Sequence, residues 1–469
     1  MPGSADRLAR TLPGPLAELA TSAREWARAM LREGPAFRAV GEELAATERF
    51  SAEQLTDWQW QKLEQAVRHA YARTVYYREL FDSLGITPED IRSAEDFARL
   101  PIVTKDDILE RPRDFRASGG HGLIVLEDGT SGTSGRPLRV PRDLRSIVFE
   151  HAHLHRQLLW AGWKPGQRRA WLRGDSFLPI DRDRPPFWHR VLGRAMLKLS
   201  SYHLKEAHLA GCLDALRRFG PTILQAYPSS AAWLARGLLA RGDDPIRMNG
   251  VVTSSETLRA DQKRDIERAF ACRVFDWYGT FERVAAIGTC ERGGRHLISD
   301  YAYGELIPDP ETDSLRIIGT SWSNRVFPVL RYDAGDRVAP AKEPCDCGRA
   351  FPTTGEVLGR QDDVVVTRDG RSVGRLDHVF KEARGIREAQ IVQERAGEVV
   401  IRFVPDGEGA RAGEALLRAA RERLGSSTRV SVQPVERLER GPRGKLQLVV
   451  SKLDPPERNG ALAPKEVSR

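Results

Sequence analysis

Two groups of residues have the types and spacing to do chemistry. The first is the run Asp128, Gly129, Thr130, Ser131, Gly132, Thr133, Ser134, Gly135, Arg136 and Pro137. Three glycines let the backbone turn sharply and present N–H groups, and four hydroxyls add donors, a combination suited to a polyphosphate. It is not a Walker A loop, because the G-x-x-x-x-G-K-[ST] spacing is absent. By itself the run reads equally well as a flexible linker. The second group is Cys290, His296, Cys345 and Cys347. Three thiols and one imidazole match a closed, tetrahedral, structural Zn2+ site. The C-x-C pair is tighter than the common C-x-x-C, and buried free thiols beside a surface histidine are the alternative. No group remains for an open coordination position, so the expected role is to hold a subdomain together. His151, His153 and His155 follow the first run; they read as a pocket wall or a solvent face rather than a metal site.

The elements that must position these groups change in style along the chain. Residues 14–80 read as helical, and 101–107 as a turn opening a short helix at Lys105. From about 166 strands alternate with helices: strands at 169–172, 222–226, 250–253 and 273–277, helices at 206–218, 229–240 and 258–270. A serine cap at Ser229 is expected to open the second helix. Such alternation implies a covered, mostly parallel sheet whose ligands bind beyond the C-terminal strand ends. Close-spaced strands over 303–332 suggest a β-rich subdomain. Beyond 360 come a hairpin turning at Asp369 and Gly370, a strand pair at 389–404, a helix at 410–424 and a strand at 430–435. The expected fold is therefore α/β: a large N-terminal domain, 1–360, a small α+β domain, 361–455, and a polar tail, 456–469, expected to be disordered.

The bulk composition narrows the class. The 469 residues are 41% hydrophobic and 29% charged, with no apolar stretch long enough to span a membrane. Lys and Arg outnumber Asp and Glu by 73 to 65, a net charge of +8 spread along the chain. That surplus reads as a solvated basic surface with a small polyanionic ligand, not as a nucleic-acid or membrane partner. The five cysteines fit a reducing cytoplasm, with Cys212 and Cys272 as core residues. The first twenty residues do not resemble a secretory signal.

The run 128–137 resembles the phosphate loop of the adenylate-forming superfamily (acyl-CoA synthetases, luciferases and nonribosomal adenylation domains). Further matches follow in order. Asp276, Trp277, Tyr278, Gly279, Thr280, Phe281 and Glu282 resemble its aromatic-Gly-x-[ST]-Glu motif, and 331–336 its Gly-Asp motif. Arg360 and Asp362 lie in a segment similar to its hinge, and 442–445 resemble its C-terminal lysine motif. Residues 63–77 and 100–105 look like the phenylacetate–CoA ligase and capsule-protein (CapK-like) branch, so the resemblance covers almost the whole chain.

The resemblance implies an AMP-forming ligase. It would convert a carboxylic acid, an aryl acid among the candidates, and ATP to an acyl adenylate, then pass the acyl group to an acceptor, coenzyme A first. An amine, a hydroxyl or a carrier-protein thiol is the alternative acceptor. A non-catalytic nucleotide-binding protein is the alternative of another class. In the ligase, Thr130 to Arg136 would cradle phosphates, and Glu282 would hold Mg2+. Tyr278 would flank adenine, with Ser254, Ser255 and Glu256 opposite and Asp276, Trp277 and Gly279 beside it. Asp336 would accept both ribose hydroxyls, supported by Arg360. Thr280 and Lys445 would act at the phosphorus centre, and the small domain would rotate about Asp362. Arg136 stands where the family commonly has lysine. The acid pocket is expected around 227–230, with Phe187 or Trp188 as walls. A homodimer is an assembly this reading allows.

Overall fold

The computed structural model describes residues 14–119, 125–129, 138–358 (without 176, 180, 181 and 311), 365–370, 372–373, 376, 378–381, 386–405, 409–438 (without 426) and 448–453. The tail and the hinge segment therefore lie outside the described residues. Helices α1 (Gly14–Arg32), α2 (Pro35–Thr47), α3 (Ala52–Arg73) and α4 (Val75–Leu84) occupy the stretch expected to be helical. A capping box opens α3: Ser51 Oγ accepts from Gln54 N at 3.1 Å, and Gln54 Oε1 accepts from Ser51 N at 2.9 Å. Leu63, Val67 and Ala70 of α3 pack with Tyr77 and Phe81 of α4 in one buried cluster. The Tyr77 hydroxyl accepts from Leu330 N at 2.7 Å, tying these helices to the strand that carries the Gly-Asp motif.

The short helix expected after the 101–107 turn is α5 (Lys105–Glu110), and the structure shows Thr104 as its cap. Just before it, Val103 pairs with Tyr332: its N–H donates to Arg331 O at 2.9 Å, and its carbonyl accepts from Asp333 N at 2.9 Å. Strands β1 (Val125–Gly129) and β2 (Arg139–Asp143) form an antiparallel pair, so 130–137 is the connection between them. Helix α6 (Leu144–Trp160) starts on an Asp143 cap.

The main sheet has nine strands. Its centre is parallel, in the order β8 (Arg273–Gly279), β7 (Gly250–Ser254), β6 (Ile223–Ala226), β3 (Arg169–Arg173), β5 (Met196–Ser200). Antiparallel strands close it: β4 (Trp188–Val191) on one side, and β9 (Ala286–Thr289), β10 (Arg295–Leu297) and β14 (Thr353–Thr354) on the other. The parallel expectation thus holds for the centre only. The flanks reverse because β8 and β9 are joined too closely for a crossover helix. Helices α7 (Glu206–Phe219), α8 (Pro228–Ala240) and α9 (Ala260–Phe270) supply the βα alternation, and Leu213, Leu216, Ala231, Leu234, Ile266 and Phe270 fill the core they share with the sheet. The serine cap expected on α8 is not made. The helix starts on Pro228, and Glu256 Oε2, from the loop after β7, accepts from Ser229 N at 3.0 Å.

A four-stranded antiparallel sheet follows: β11 (Tyr303–Pro308), β12 (Leu315–Ser321), β13 (Val329–Val338) and β15 (Val357–Leu358). The smaller C-terminal domain holds the expected hairpin, β16 (Val365–Val366) and β17 (Ser372–Val373), with Gly370 at φ +76° in its turn. It also holds the sheet β20 (Arg429–Pro434), β19 (Glu398–Pro405), β18 (Ile386–Arg395), β21 (Val449–Ser451), covered by α10 (Gly409–Leu424). Arg423 of α10 meets the large domain: its Nη1 donates to Tyr202 Oη at 3.0 Å, and that hydroxyl donates to Gly174 O just beyond β3. Among the described residues no helix is long and apolar enough to cross a membrane.

Candidate active site

The C-terminal ends of the parallel strands β3, β6, β7 and β8 face one region, where Arg173, Tyr227, Ser254 and Tyr278 lie at or next to the strand ends. Arg173 closes β3 and stacks over the rings of Trp171, at 5.3 Å, and Tyr227, at 5.2 Å. Its Nη2 donates to Ser255 Oγ at 2.6 Å. Ser255 has φ +73°, Arg283 φ +61° and Arg331 φ +45°. A left-handed backbone strains a non-glycine residue, and such strain gathers where neighbouring structure holds a loop for a purpose. All three positions adjoin the family-like motifs.

Strand alternation sorts the motif on β8. Trp277 points into the core, edge-on to Tyr301 at 6.2 Å between centroids, while Asp276 and Tyr278 face the other way. Only the backbone of Trp277 is therefore placed toward Tyr278 and Gly279. Tyr278 Oη donates to Asp336 Oδ2 at 2.8 Å, bringing together the two residues that the resemblance assigns to adenine and ribose. Asp336 reaches this place along β13, directly after Gly335 at φ +72°. Thr280 Oγ1 accepts from Val284 N at 3.0 Å and Ala285 N at 3.3 Å, closing the turn that aims Glu282. Those bonds occupy its lone pairs and leave the hydroxyl proton for an anion.

Glu282 Oε1 accepts from Tyr332 Oη at 3.0 Å. Burial pushes its carboxyl above the ordinary range, with the charge of Asp336 adding to the shift and the Tyr332 hydroxyl and Lys105 opposing it. A carboxylate short of compensating charge beside a second carboxylate is a donor set that suits a hard divalent cation. Asp276 is different. Its Oδ1 accepts from Thr253 Oγ1 at 2.6 Å between β7 and β8, and burial raises its pKa to about 6.

That shift has a testable sign. The folded state binds the Asp276 proton more tightly than the unfolded state, so this group favours folding at low pH. The advantage is lost as pH rises through about 6. Asp276→Asn is expected to raise Tm at pH 8, by on the order of 2–3 kcal/mol of stability at most. The gain should shrink toward pH 5 in differential scanning fluorimetry. A gain independent of pH would contradict the assignment.

Sequence reasoning missed several participants. Tyr332 and Lys105 lie inside the motif segments 331–336 and 100–105 but carry no assigned role there, and Arg173 lies in no motif; tertiary packing brings all three to the site. Arg142, on β2, stacks over the Phe281 ring at 3.8 Å and bonds the Phe281 carbonyl, linking the strand after 130–137 to the Glu282 turn. His153 is no pocket wall. It is fully buried, with Nδ1 bonded to Phe149 O at 2.9 Å and Nε2 3.5 Å from Asp300, which Arg156 grips with both Nη atoms. Phe187 is likewise packed, stacked between His203 and His208. Thr130 to Arg136, Arg360, Asp362 and Lys445 lie outside the described residues.

The ligand atoms of Cys290, His296, Cys345 and Cys347 all lie within 4.8 Å of one another. Cys290 Sγ is 3.6 Å from Cys345 Sγ, and Cys347 Sγ is 3.4 Å from His296 Nε2. Bonds of about 2.3 Å to sulfur and 2.0 Å to nitrogen in a tetrahedron give edges of roughly 3.5–3.8 Å. His296 Nδ1 donates to Phe351 O at 2.9 Å, the outer contact that leaves Nε2 as the free lone pair. The donor set fits Zn2+ and would join the β9–β10 turn to the 345–347 loop.

The description "CapK C-terminal domain" matches residues 365–452. A phenylacetate-coenzyme A ligase of Thermus thermophilus is 25% identical over 337 residues, 68% of this chain and 74% of that protein. Protein CapK of Staphylococcus aureus is 22% identical over 419 residues, 85% of this chain and 90% of that one. Among solved structures, a 2-hydroxyisobutyryl-CoA ligase bound to its acyl-AMP and CoA aligns with TM-score 0.57 at 21% identity, covering 87% of this chain and 92% of that one. At that identity the structural likeness establishes the fold. The ordered motifs and these likenesses agree: the chain is similar to phenylacetate-coenzyme A ligases and to CapK, and it has the fold of the adenylate-forming CoA ligases.

Proposed function

We propose that the protein is an AMP-forming ligase that activates a carboxylic acid with ATP and transfers the acyl group to coenzyme A. The observation that carries this reading is the pairing of Tyr278 with Asp336 at 2.8 Å beside the Glu282–Tyr332 pair. In this reading Tyr278 would supply a ring for the base, Asp336 a bidentate acceptor for the ribose and Glu282 a carboxylate for a cation, at the strand ends where an α/β sheet binds ligands.

A carboxylate resists nucleophiles because it is anionic and would have to expel oxide. Attack of its oxygen on the α-phosphorus of ATP forms a mixed anhydride and releases pyrophosphate. Two anions meet in that step, so oriented donors and cations must stand where charge accumulates. Glu282 would hold Mg2+, which supplies charge neutralisation at the phosphates. Thr280 would donate its proton to an anionic oxygen, Thr130 to Arg136 would supply phosphate donors, and Lys445 would bridge carboxylate and α-phosphate. Ser254, Ser255, Glu256, Asp276, the Trp277 backbone and Gly279 would form the nucleotide walls, with Arg360 beside the ribose. Asp362 would be the pivot between domains 1–360 and 361–455. The Cys290, His296, Cys345 and Cys347 set would hold Zn2+ structurally, and a reducing cytoplasm would keep those thiols available.

A second reading concerns the acceptor. Likeness to CapK extends over 419 residues against 337 for the ligase of T. thermophilus, and the C-terminal family match is to CapK. In this superfamily the small domain admits the acceptor, so an amine, hydroxyl or carrier thiol is the alternative to CoA. Incubation with ATP, the activated acid and CoA, followed by mass spectrometry, decides between them. Acyl-CoA is the expected product. Adenylate that accumulates and ignores CoA would overturn the thioester assignment and leave the adenylation step standing.

A further inference from the structure

We infer that helix α1 is the dimerisation surface of this protein, docking against the same helix of a second copy. The helix is amphipathic in the reverse sense. Its polar side chains face the protein because they cover an open sheet edge. Glu18 Oε1 accepts from Arg190 N at 2.8 Å on edge strand β4, and Ser22 Oγ accepts from Leu192 N, just past that strand, at 2.9 Å. Trp26 Nε1 donates to Leu192 O at 2.9 Å, and Glu25 Oε1 accepts from the buried Lys198 Nζ at 2.8 Å. The helix thereby satisfies Arg190 N, Leu192 N and Leu192 O along that edge and lies across the place where another strand would pair.

The outward face is consequently apolar. Met30 is 79% exposed, and Leu16, Leu19 and Leu31 are each more than half exposed. Pro15, Ala23, Trp26 and Ala27 complete it, and every exposed position of α1 is uncharged. A helix lying in a membrane surface buries its apolar face and leaves the arginines of its polar face free to reach lipid headgroups. Here Arg24, Arg28 and Arg32 are half-buried on the protein side, within electrostatic reach of Glu25 and Asp175. An uncharged face laid on its own twofold image meets no like charge, which is the requirement of an isologous contact. With Leu192, 51% exposed, beside it, the apolar face runs along the length of the helix, whereas apolar residues on a monomer's surface are ordinarily scattered singly.

Light scattering after size exclusion, at tens of micromolar, tests this independently of the ligase reading. Wild-type protein is expected at twice the chain mass of 52.5 kDa. The double variant Leu19→Glu/Met30→Glu, and the milder Leu19→Gln/Met30→Gln, are expected at 52.5 kDa with unchanged circular dichroism. A monomeric wild type overturns the inference. So does a dimer that survives both folded variants, or a monomer that co-sediments with phosphatidylglycerol vesicles unless the helix is substituted.

Discussion

Replacing Lys445 with alanine is expected to lower acid-dependent ATP–pyrophosphate exchange by on the order of 10²–10³-fold, the scale for losing one charge-stabilising group at a reaction centre. The lysine precedes β21, which pairs with β18: Ile391 aligns with Val449, and Ile391 N donates to Leu448 O at 2.7 Å. The strand that follows it thus belongs to the small domain, and in the proposed mechanism the ammonium would be delivered to the large one. Transfer of the acyl group from a synthetic adenylate to CoA uses no attack on ATP. It should therefore survive the substitution within a fewfold. Equal loss in both half-reactions would point to misfolding, and exchange within threefold of wild type would remove Lys445 from the reaction centre.

Loss of the four-ligand site is expected to have the largest effect on stability. Cys290 and His296 flank one tight turn, and Cys345 and Cys347 lie on a loop with no regular secondary structure. Without a cation, three thiols and an imidazole remain crowded within 4.8 Å. Binding that reaches 10–16 kcal/mol in isolated zinc-finger peptides contributes less in a body with its own core, here about 5 kcal/mol. Cys347→Ser, or prolonged chelation, should lower Tm by roughly 10 °C. The as-purified protein should contain one zinc per chain by inductively coupled plasma mass spectrometry. Zinc-free protein with the same Tm as the variant would contradict the assignment.

The elements were legible because local signals are strong here. The short helix opening at Lys105, the Asp369–Gly370 turn and the βα alternation each set their own geometry within a few residues. The site was legible through motif order, which named Tyr278, Glu282 and Asp336 before any contact between them was visible. What stayed hidden depends on distant packing. Ser229 looks like a cap, yet Glu256 takes its amide from another loop. Trp277 reads as part of a nucleotide motif, yet its strand register sends the ring into the core. His153 looks like one of three polar histidines until Asp300, far along the chain, is found beside it. The reversal of α1 is the clearest case, since its polar face answers an edge strand some 170 residues later.

The most direct test is ATP–pyrophosphate exchange over a panel of aryl and short aliphatic acids, at varied Mg2+, for wild type, Glu282→Gln and Asp336→Ala. Exchange is expected with a restricted set of acids. Glu282→Gln should demand far more Mg2+, and Asp336→Ala should raise the apparent KM for ATP while circular dichroism stays unchanged. Absence of exchange with every acid, in protein that still binds ATP, would contradict the account, as would exchange indifferent to both substitutions.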